Sequence, residues 1–281
     1  MEEKKYTYVF LSQADDPESK LEAELGRFSE SKEALELTVI AVSCGRFGQV
    51  NRTAKALARL CKPHWRLQLL ITFNDLKRVP KSVWELANLV ELQLDNNKLK
   101  TLSPAIAKLT KLRKLDLGEN LFKVFPEAVC KLEQLEELSV DCCRLSVLPS
   151  SFASLRNLLE LSLGRNAFEQ FPKVICELSS LRFLSLRGNK LSSLPPSFAN
   201  LRELRDLNIP YNRFKEFPSV VCELPSLEIL FMHNNQLSEL PLTITKLVHL
   251  KRLVLSENSF ASFPLFVGDL PQLSNFYSAN G

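Results

Sequence analysis

The chain has 281 residues, and 45% of them are hydrophobic, which is enough apolar material for a sizeable core. Its 36 basic and 32 acidic residues leave a formal net charge of only +4, so charge gives no reason to expect nucleic acid or a membrane surface as a partner. The amino-terminal apolar run is too short for a signal peptide, and no stretch approaches the length of a membrane span. We therefore expect a protein that neither inserts into membranes nor binds nucleic acid.

The first 65 residues do not follow the pattern of the rest of the chain. Two apolar strands, at 6–11 and 37–42, are each followed by a helical pattern, and a third strand is predicted at 67–73. We predict a small α/β cap of two longer β–α units that continues the sheet of the following segment and shields its first edge. A separate small domain is the alternative.

Residues 66–281 repeat every 23 positions, as nine repeats and a truncated tenth. Leucine opens each unit from the second onward, at Leu89, Leu112, Leu135, Leu158, Leu181, Leu204, Leu227, Leu250 and Leu273. Within a unit, residues such as Leu184 and Leu186 alternate with polar ones, which is typical of a short strand. One unit cannot bury its own apolar side, so we expect stacked units that form a parallel sheet on a concave face. The return path is short and carries proline, so the convex side is predicted to be irregular or 3₁₀-helical.

The ninth position of the repeat is asparagine at Asn74, Asn97, Asn120, Asn166, Asn189, Asn212, Asn235 and Asn258, and Cys143 replaces it once. A sharp turn after each strand leaves buried backbone groups that need partners. An amide side chain offers both donors and an acceptor, so a ladder of buried asparagines is predicted. Asn234, one residue before a ladder position, is expected to be exposed and insensitive to substitution.

Seven cysteines favour a reducing compartment. Cys130, Cys176 and Cys222 occupy the same slot in alternate repeats, 46 residues apart. Two strand spacings separate them by roughly 10 Å, which exceeds the ~7 Å limit between the Cα atoms of a disulfide. We predict that they are buried thiols and that the protein is cytoplasmic.

The repeat LxxLxLxxNxLxxLPxxΦxxL, where Φ is a large apolar residue, is clearest at 181–204. It resembles the intracellular 23-residue class of leucine-rich repeat proteins, as in Scribble, Erbin, the Ras-suppressor protein and the plant Ras-group-related repeat proteins. The resemblance implies an α/β solenoid of the leucine-rich repeat horseshoe type. It also implies that the concave face binds other proteins and that no repeat residue is catalytic.

Residues that could carry catalysis are sparse. The chain has three histidines, His64, His233 and His249, and no nucleophile–base set, carboxylate pair or metal-ligand spacing stands out from the repeats. We therefore expect no enzyme, no cofactor and no bound metal.

The outward residues of the strands change character near Arg165, from acidic before it to aromatic and basic after it. Aromatic side chains with arginine on a rigid sheet are typical of protein interfaces. The candidate partner-binding residues are Phe183, Arg187, Tyr211, Arg213, Ile229, Phe231, His233, Arg165, Asp116 and Asp141. The aromatic ones are expected to anchor a protein or peptide, and the acidic ones to steer a basic segment of it.

The sequence thus predicts a non-enzymatic protein–protein interaction scaffold. The alternatives are a sensor or regulatory module of a longer signalling protein whose effector portion is not in this chain, and a structural spacer. Near the carboxyl end, the apolar residues Phe266, Val267, Leu270, Leu273 and Phe276 are predicted to line an exposed or barely covered end. Such an end predicts either further sequence or end-to-end association.

Overall fold

A computed structural model describes residues 5–11, 16–26, 35–41, 47–262 and 264–277 of the chain. The chain folds as two compact units, Met1–Ser139 and Val140–Gly281. Within each unit the strands pair in parallel with their neighbours in chain order.

The first unit joins two β–α units to the first repeats. Its strands are β1 Lys5–Leu11, β2 Leu35–Ala41, β3 Arg66–Leu70, β4 Leu89–Gln93, β5 Lys114–Asp116 and β6 Glu137–Ser139, and its α-helices are α1 Pro17–Leu25 and α2 Phe47–Leu60. Asp16 caps α1 by accepting a hydrogen bond from the Ser19 amide, and Pro17 suits the first turn because it lacks the N–H that would need a partner. The predicted α/β cap is confirmed. The third strand ends earlier than predicted, at Leu70, and Phe73 beyond it has a left-handed backbone conformation.

The second unit consists of repeats alone. Its strands are β7 Glu160–Ser162, β8 Phe183–Ser185, β9 Asp206–Asn208, β10 Ile229–Phe231, β11 Arg252–Val254 and β12 Asn275–Tyr277. The return paths contain the 3₁₀ turns Ser150–Ser154, Lys173–Glu177, Pro196–Asn200, Ser219–Glu223, Leu242–Lys246 and Leu265–Asp269. Each turn follows a proline whose carbonyl accepts the first turn hydrogen bond, as in the bond from the Phe198 amide to the Pro195 carbonyl at 2.9 Å. The predicted fold class, a leucine-rich repeat solenoid with a 3₁₀-type return side, is confirmed.

The asparagine ladder forms as predicted from Asn97 onward. In Asn189, Oδ1 accepts a hydrogen bond from the Phe168 amide at 3.1 Å, while Nδ2 donates to the carbonyls of Leu163 and Leu186 at 3.0 Å each. The side chain therefore joins its own turn to the turn of the preceding repeat. The same arrangement recurs at Asn97, Asn120, Asn166, Asn212, Asn235 and Asn258.

The residue before each ladder position has a positive φ, which the sequence did not reveal. These left-handed residues are Phe73, Asn96, Glu119, Cys142, Arg165, Gly188, Tyr211, Asn234 and Glu257, with φ between 49° and 68°. A non-glycine residue in this conformation costs roughly 1–2 kcal/mol, less for asparagine. Asn234 is half-buried and not exposed as predicted, and its φ is 53°. We therefore expect Asn234→Ala to destabilise the protein, because alanine lacks the tolerance that asparagine has for this conformation.

The predicted buried thiols are confirmed, whereas the predicted exposed end is wrong in part. Cys130, Cys176 and Cys222 are buried, and the cysteines among the residues that the structure describes are free thiols. Near the carboxyl end, Val267 and Leu270 are only 2% and 4% exposed. They occupy the slots of Ile244 and Leu247 one repeat earlier, which are also buried, whereas Phe266, Leu273 and Phe276 are partly exposed.

Candidate functional site

Strands β8, β9 and β10 place polar residues between apolar ones on their outward face. In one row of paired residues, Asp206 lies between Phe183 and Ile229. In the next row, Asn208 lies between Ser185 and Phe231. Since paired strands are about 4.8 Å apart, Asp206 lies at the floor of a shallow trough between two larger apolar side chains, and Asn208 continues this floor with Ser185 on one side and Phe231 on the other. We call Asp206 and Asn208, with the walls Phe183, Ile229 and Phe231, the β9 trough.

Beside the trough, three rings and two guanidinium groups form a chain of contacts that we call the aromatic cluster. Tyr211 and His233 lie edge to face with centroids 5.5 Å apart, and His233 meets Phe231 in the same way at 6.4 Å. The guanidinium carbon of Arg187 is 5.0 Å from the Tyr211 ring centroid, and that of Arg252 is 5.7 Å from the Phe231 centroid. These are cation–π distances, so each arginine lies against an aromatic face.

The left-handed backbone positions Tyr211 in this cluster. Its φ is 56°, and its side chain is 46% exposed. A bulky aromatic residue is uncommon in this conformation, and in its slot one repeat earlier the chain has Gly188. The side chain thus stands at the carboxyl end of β9, between Arg187 and His233, rather than over the strand.

Three polar atoms of this region have no hydrogen-bond partner among the described protein residues. They are Oδ1 of Asp206, Oδ1 of Asn208 and Nδ1 of His233, each of them buried in the described structure. Burial raises the pKa of Asp206 to about 6, although the positive charge of Arg252 acts in the opposite direction. Burial, with the charge of Arg187, lowers the pKa of His233, so the imidazole is favoured in its neutral form. Unpartnered buried polar groups reduce stability, and they mark a place where folding alone does not explain the residues.

The raised pKa of Asp206 predicts a pH-dependent stability. The native state holds the proton up to about pH 6 and the unfolded chain only to about pH 4, so the free energy of unfolding should fall as pH rises through this window. We expect Asp206→Asn to remove this loss, leaving the variant more stable than the wild type by about 1–2 kcal/mol at neutral pH, with partial solvent screening allowed for. Denaturant titrations at both ends of the window measure the difference.

Several other charged or titratable residues lie near Asp206, so the experiment needs a control carboxylate away from them. They are Arg182 and Arg187 beside β8, Glu228 and His233 beside β10, and Arg252 on β11. Asp269→Asn, at an exposed position of the last 3₁₀ turn, should leave the pH profile unchanged. A wild type that gains stability between pH 4 and 6, relative to Asp206→Asn, would contradict the prediction.

The remaining predicted site residues lie apart from the aromatic cluster. Arg165 packs over Gly188, where an added Cβ would come within 3.2 Å of the arginine Cγ. Asp141 accepts hydrogen bonds from the Ser162 hydroxyl at 2.7 Å and from the Gly164 amide at 2.5 Å, and burial raises its pKa against these bonds. Arg213 is exposed after the ladder residue Asn212, and Asp116 belongs to the first unit, where it accepts from the Gly118 amide.

The residues predicted from the sequence to form the site did not include Asp206, Asn208 or Arg252. A usable signal was present, because a 23-residue offset aligns Asp206 with Phe183 and Ile229. An acidic residue between apolar ones in one repeat slot indicates a carboxylate with apolar neighbours on both sides.

The described ranges offer neither a metal site nor a membrane-spanning helix. Over these ranges, there is no group of three or more His, Cys, Asp or Glu side chains that could hold a metal ion. None of the helices in the same ranges has the length and apolar character needed to cross a membrane.

Comparison with solved structures gives the same fold. A leucine-rich repeat protein of Leptospira interrogans superposes with a TM-score of 0.74 at 25% identity, over 98% of this chain and 78% of that one. An internalin of Listeria monocytogenes reaches 0.67 at 20% identity, over 89% and 81% of the two chains. The plant peptide hormone receptor RGFR1, solved in complex with RGF2, reaches 0.67 at 21% identity, over 98% of this chain and 49% of the receptor.

Sequence comparison identifies a family but no individual curated relative. A search of curated proteins finds no match. A family model described as a leucine-rich repeat region matches residues 169–276, and one described as a leucine rich repeat matches 68–122, 87–145 and 133–191. With the repeat geometry and the asparagine ladder, these matches show that the chain belongs to the leucine-rich repeat family.

Proposed function

We propose that this chain is a non-enzymatic interaction scaffold that binds a protein or peptide on the outward strand face of its second unit. The observation that carries the proposal is the aromatic cluster, in which Arg187, Tyr211, His233, Phe231 and Arg252 contact one another in series. The RGFR1 complex with RGF2 supports a peptide partner, since that receptor shares the fold.

The composition of the cluster explains why it would anchor a partner. Tyrosine and arginine are enriched among the residues that dominate binding energy at protein interfaces. Tyr211 is 46% exposed, while Phe231 is half-buried, so a partner would cover apolar surface that is already held in place by neighbouring rings. Little side-chain entropy would be lost on binding, because the rings are positioned before the partner arrives.

The family has many partners, and the same scaffold serves unrelated functions. We therefore infer the kind of partner from the side chains on the outward strand face of the second unit, and not from the fold. The free cysteines of the described ranges support a reducing compartment, and we propose the cytoplasm. A scaffold of this kind would act in signalling by bringing its partner to a fixed surface.

Phe231→Ala is expected to weaken binding of the partner about thirtyfold, which corresponds to ~2 kcal/mol. Tyr211→Ala should have a similar effect, because each substitution removes a ring that the partner would cover and the contacts of that ring with its neighbours. The partner is captured with the wild-type chain, and its dissociation constant is then measured for the wild type and for each variant by titration calorimetry.

Val147→Ala is the matched control, because Val147 is an exposed apolar residue of the same unit that lies outside the strands. It should bind like the wild type, and the melting temperatures of all three variants should stay close to the wild-type value. If Phe231→Ala and Tyr211→Ala bind with wild-type affinity, the strand face of the second unit is not the binding site.

A further inference from the structure

The β9 trough contains a carboxylate that the fold leaves without the usual partners. Within the described part of the second unit, no donor reaches Oδ1 of Asp206, and Asn208 two residues later also has an unpartnered Oδ1. Oδ1 itself is covered, but Asp206 as a residue is only partly buried, so a donor can approach the rest of the carboxylate from the open face. A partly buried carboxylate without hydrogen bonds reduces stability unless a positive charge approaches it.

Arg252, the arginine in the same row of the sheet, does not fill this role. Arg252 lies two strands away from Asp206, beyond Ile229 in the same row, and its guanidinium is against the Phe231 ring. Arg252 forms no ion pair with Asp206 in the part of the chain that the structure describes. Elsewhere in the same unit, Lys251 and Glu228 do form one, with 2.6 Å between Nζ and Oε2.

The walls of the trough select the shape of what can enter. Phe183 and Ile229 flank Asp206, and Phe231 flanks Asn208, so a group that reaches the floor passes between apolar side chains. Lysine and arginine combine an aliphatic stem that suits such walls with donors at the tip. An acidic group would instead meet the negative charge of Asp206 on the floor.

We propose that the β9 trough receives a lysine or arginine side chain of the partner protein, with its stem against Phe183, Ile229 and Phe231 and its charged tip on Asp206 and Asn208. The carboxylate of Asp206 then obtains the positive charge that it lacks. The proposal rests on the proposed function, because the basic side chain belongs to the partner that the aromatic cluster anchors.

Selection from a random peptide library on the full chain tests the proposal. Peptides that need the aromatic cluster, identified by their loss of binding to Phe231→Ala, are expected to share a basic residue next to an apolar one. For such a peptide, Asp206→Asn should weaken binding at least tenfold, and so should replacement of its basic residue by norleucine, which keeps an apolar stem and removes the charge. Combining the two changes should cause little further loss, because both remove the same contact.

Asp269→Asn is the control and should bind each peptide like the wild type, since its carboxylate lies on the last 3₁₀ turn. Asp206→Asn is expected to fold, because it removes a buried charge. Two results would overturn the inference and leave the proposed function intact. One is a set of cluster-dependent peptides without a basic residue, or with acidic ones, and the other is additive losses in the double change. If no selected peptide depends on Phe231, both the inference and the proposed function are wrong.

Discussion

Phe198→Ala is expected to lower the free energy of unfolding of the second unit by about 3–5 kcal/mol. Phe198 lies in the 3₁₀ turn Pro196–Asn200, is 0% exposed, and meets the Phe171 ring edge to face at 5.3 Å. Alanine would leave a cavity between two successive return paths, and each repeat is stabilised only by its neighbours. Guanidinium denaturation followed by circular dichroism measures the loss.

Leu265→Ala is the control for this substitution, because Leu265 is 94% exposed on the corresponding side of a later repeat. Its effect should stay within ~0.5 kcal/mol. Phe198→Leu should cost less than Phe198→Ala, since it refills part of the cavity. Equal losses at Phe198 and Leu265 would show that the return side is not packed as the structure has it.

Asn212→Ala should destabilise the same unit by about 3 kcal/mol, since several buried backbone groups lose their partners together. Oδ1 of Asn212 accepts from the Leu191 amide at 2.9 Å, and Nδ2 donates to the carbonyls of Leu186, Ile209 and Pro210 at 3.0, 3.1 and 3.2 Å. No other side chain is placed to replace these bonds in the described structure of this turn.

Asn200→Ala provides the comparison, because Asn200 is exposed at the end of a 3₁₀ turn. It should change the denaturation midpoint little. Asn234→Ala is a poorer comparison, because alanine in the left-handed backbone conformation of this position would itself reduce stability. Hydrogen exchange of the Leu191 amide should accelerate in Asn212→Ala alone. Unchanged protection of that amide would contradict the role of the ladder bond.

The repeat spacing predicted the fold well because a fixed 23-residue period can be read directly from the sequence. The inward leucines and Asn189 occupy the positions that a 23-residue period requires, and no distant contact is needed to assign them. The end of the chain was predicted less well, since the repeat period does not show how far its neighbours cover Val267.

The site could be predicted only in part. Period-two alternation identifies Phe183, Ile229 and Phe231 as outward residues, but it does not tell which side chains touch. The contacts of Tyr211 with Arg187 and His233 depend on a positive φ, which the pattern of leucines does not encode. The trough around Asp206 depends in turn on register across three strands and on which polar atoms find no donor.

The left-handed residue that precedes each ladder position makes this fold convenient for protein engineering. Its backbone conformation recurs from repeat to repeat while its side chain varies, from Gly188 to Tyr211 to Glu257. The asparagine that usually follows makes the hydrogen bonds of the turn, so exchanging this side chain leaves those bonds in place, at a backbone cost that is lowest for glycine and asparagine. Libraries randomised at these positions alone would therefore sample new surfaces along the sheet, one side chain per repeat, on an unchanged framework.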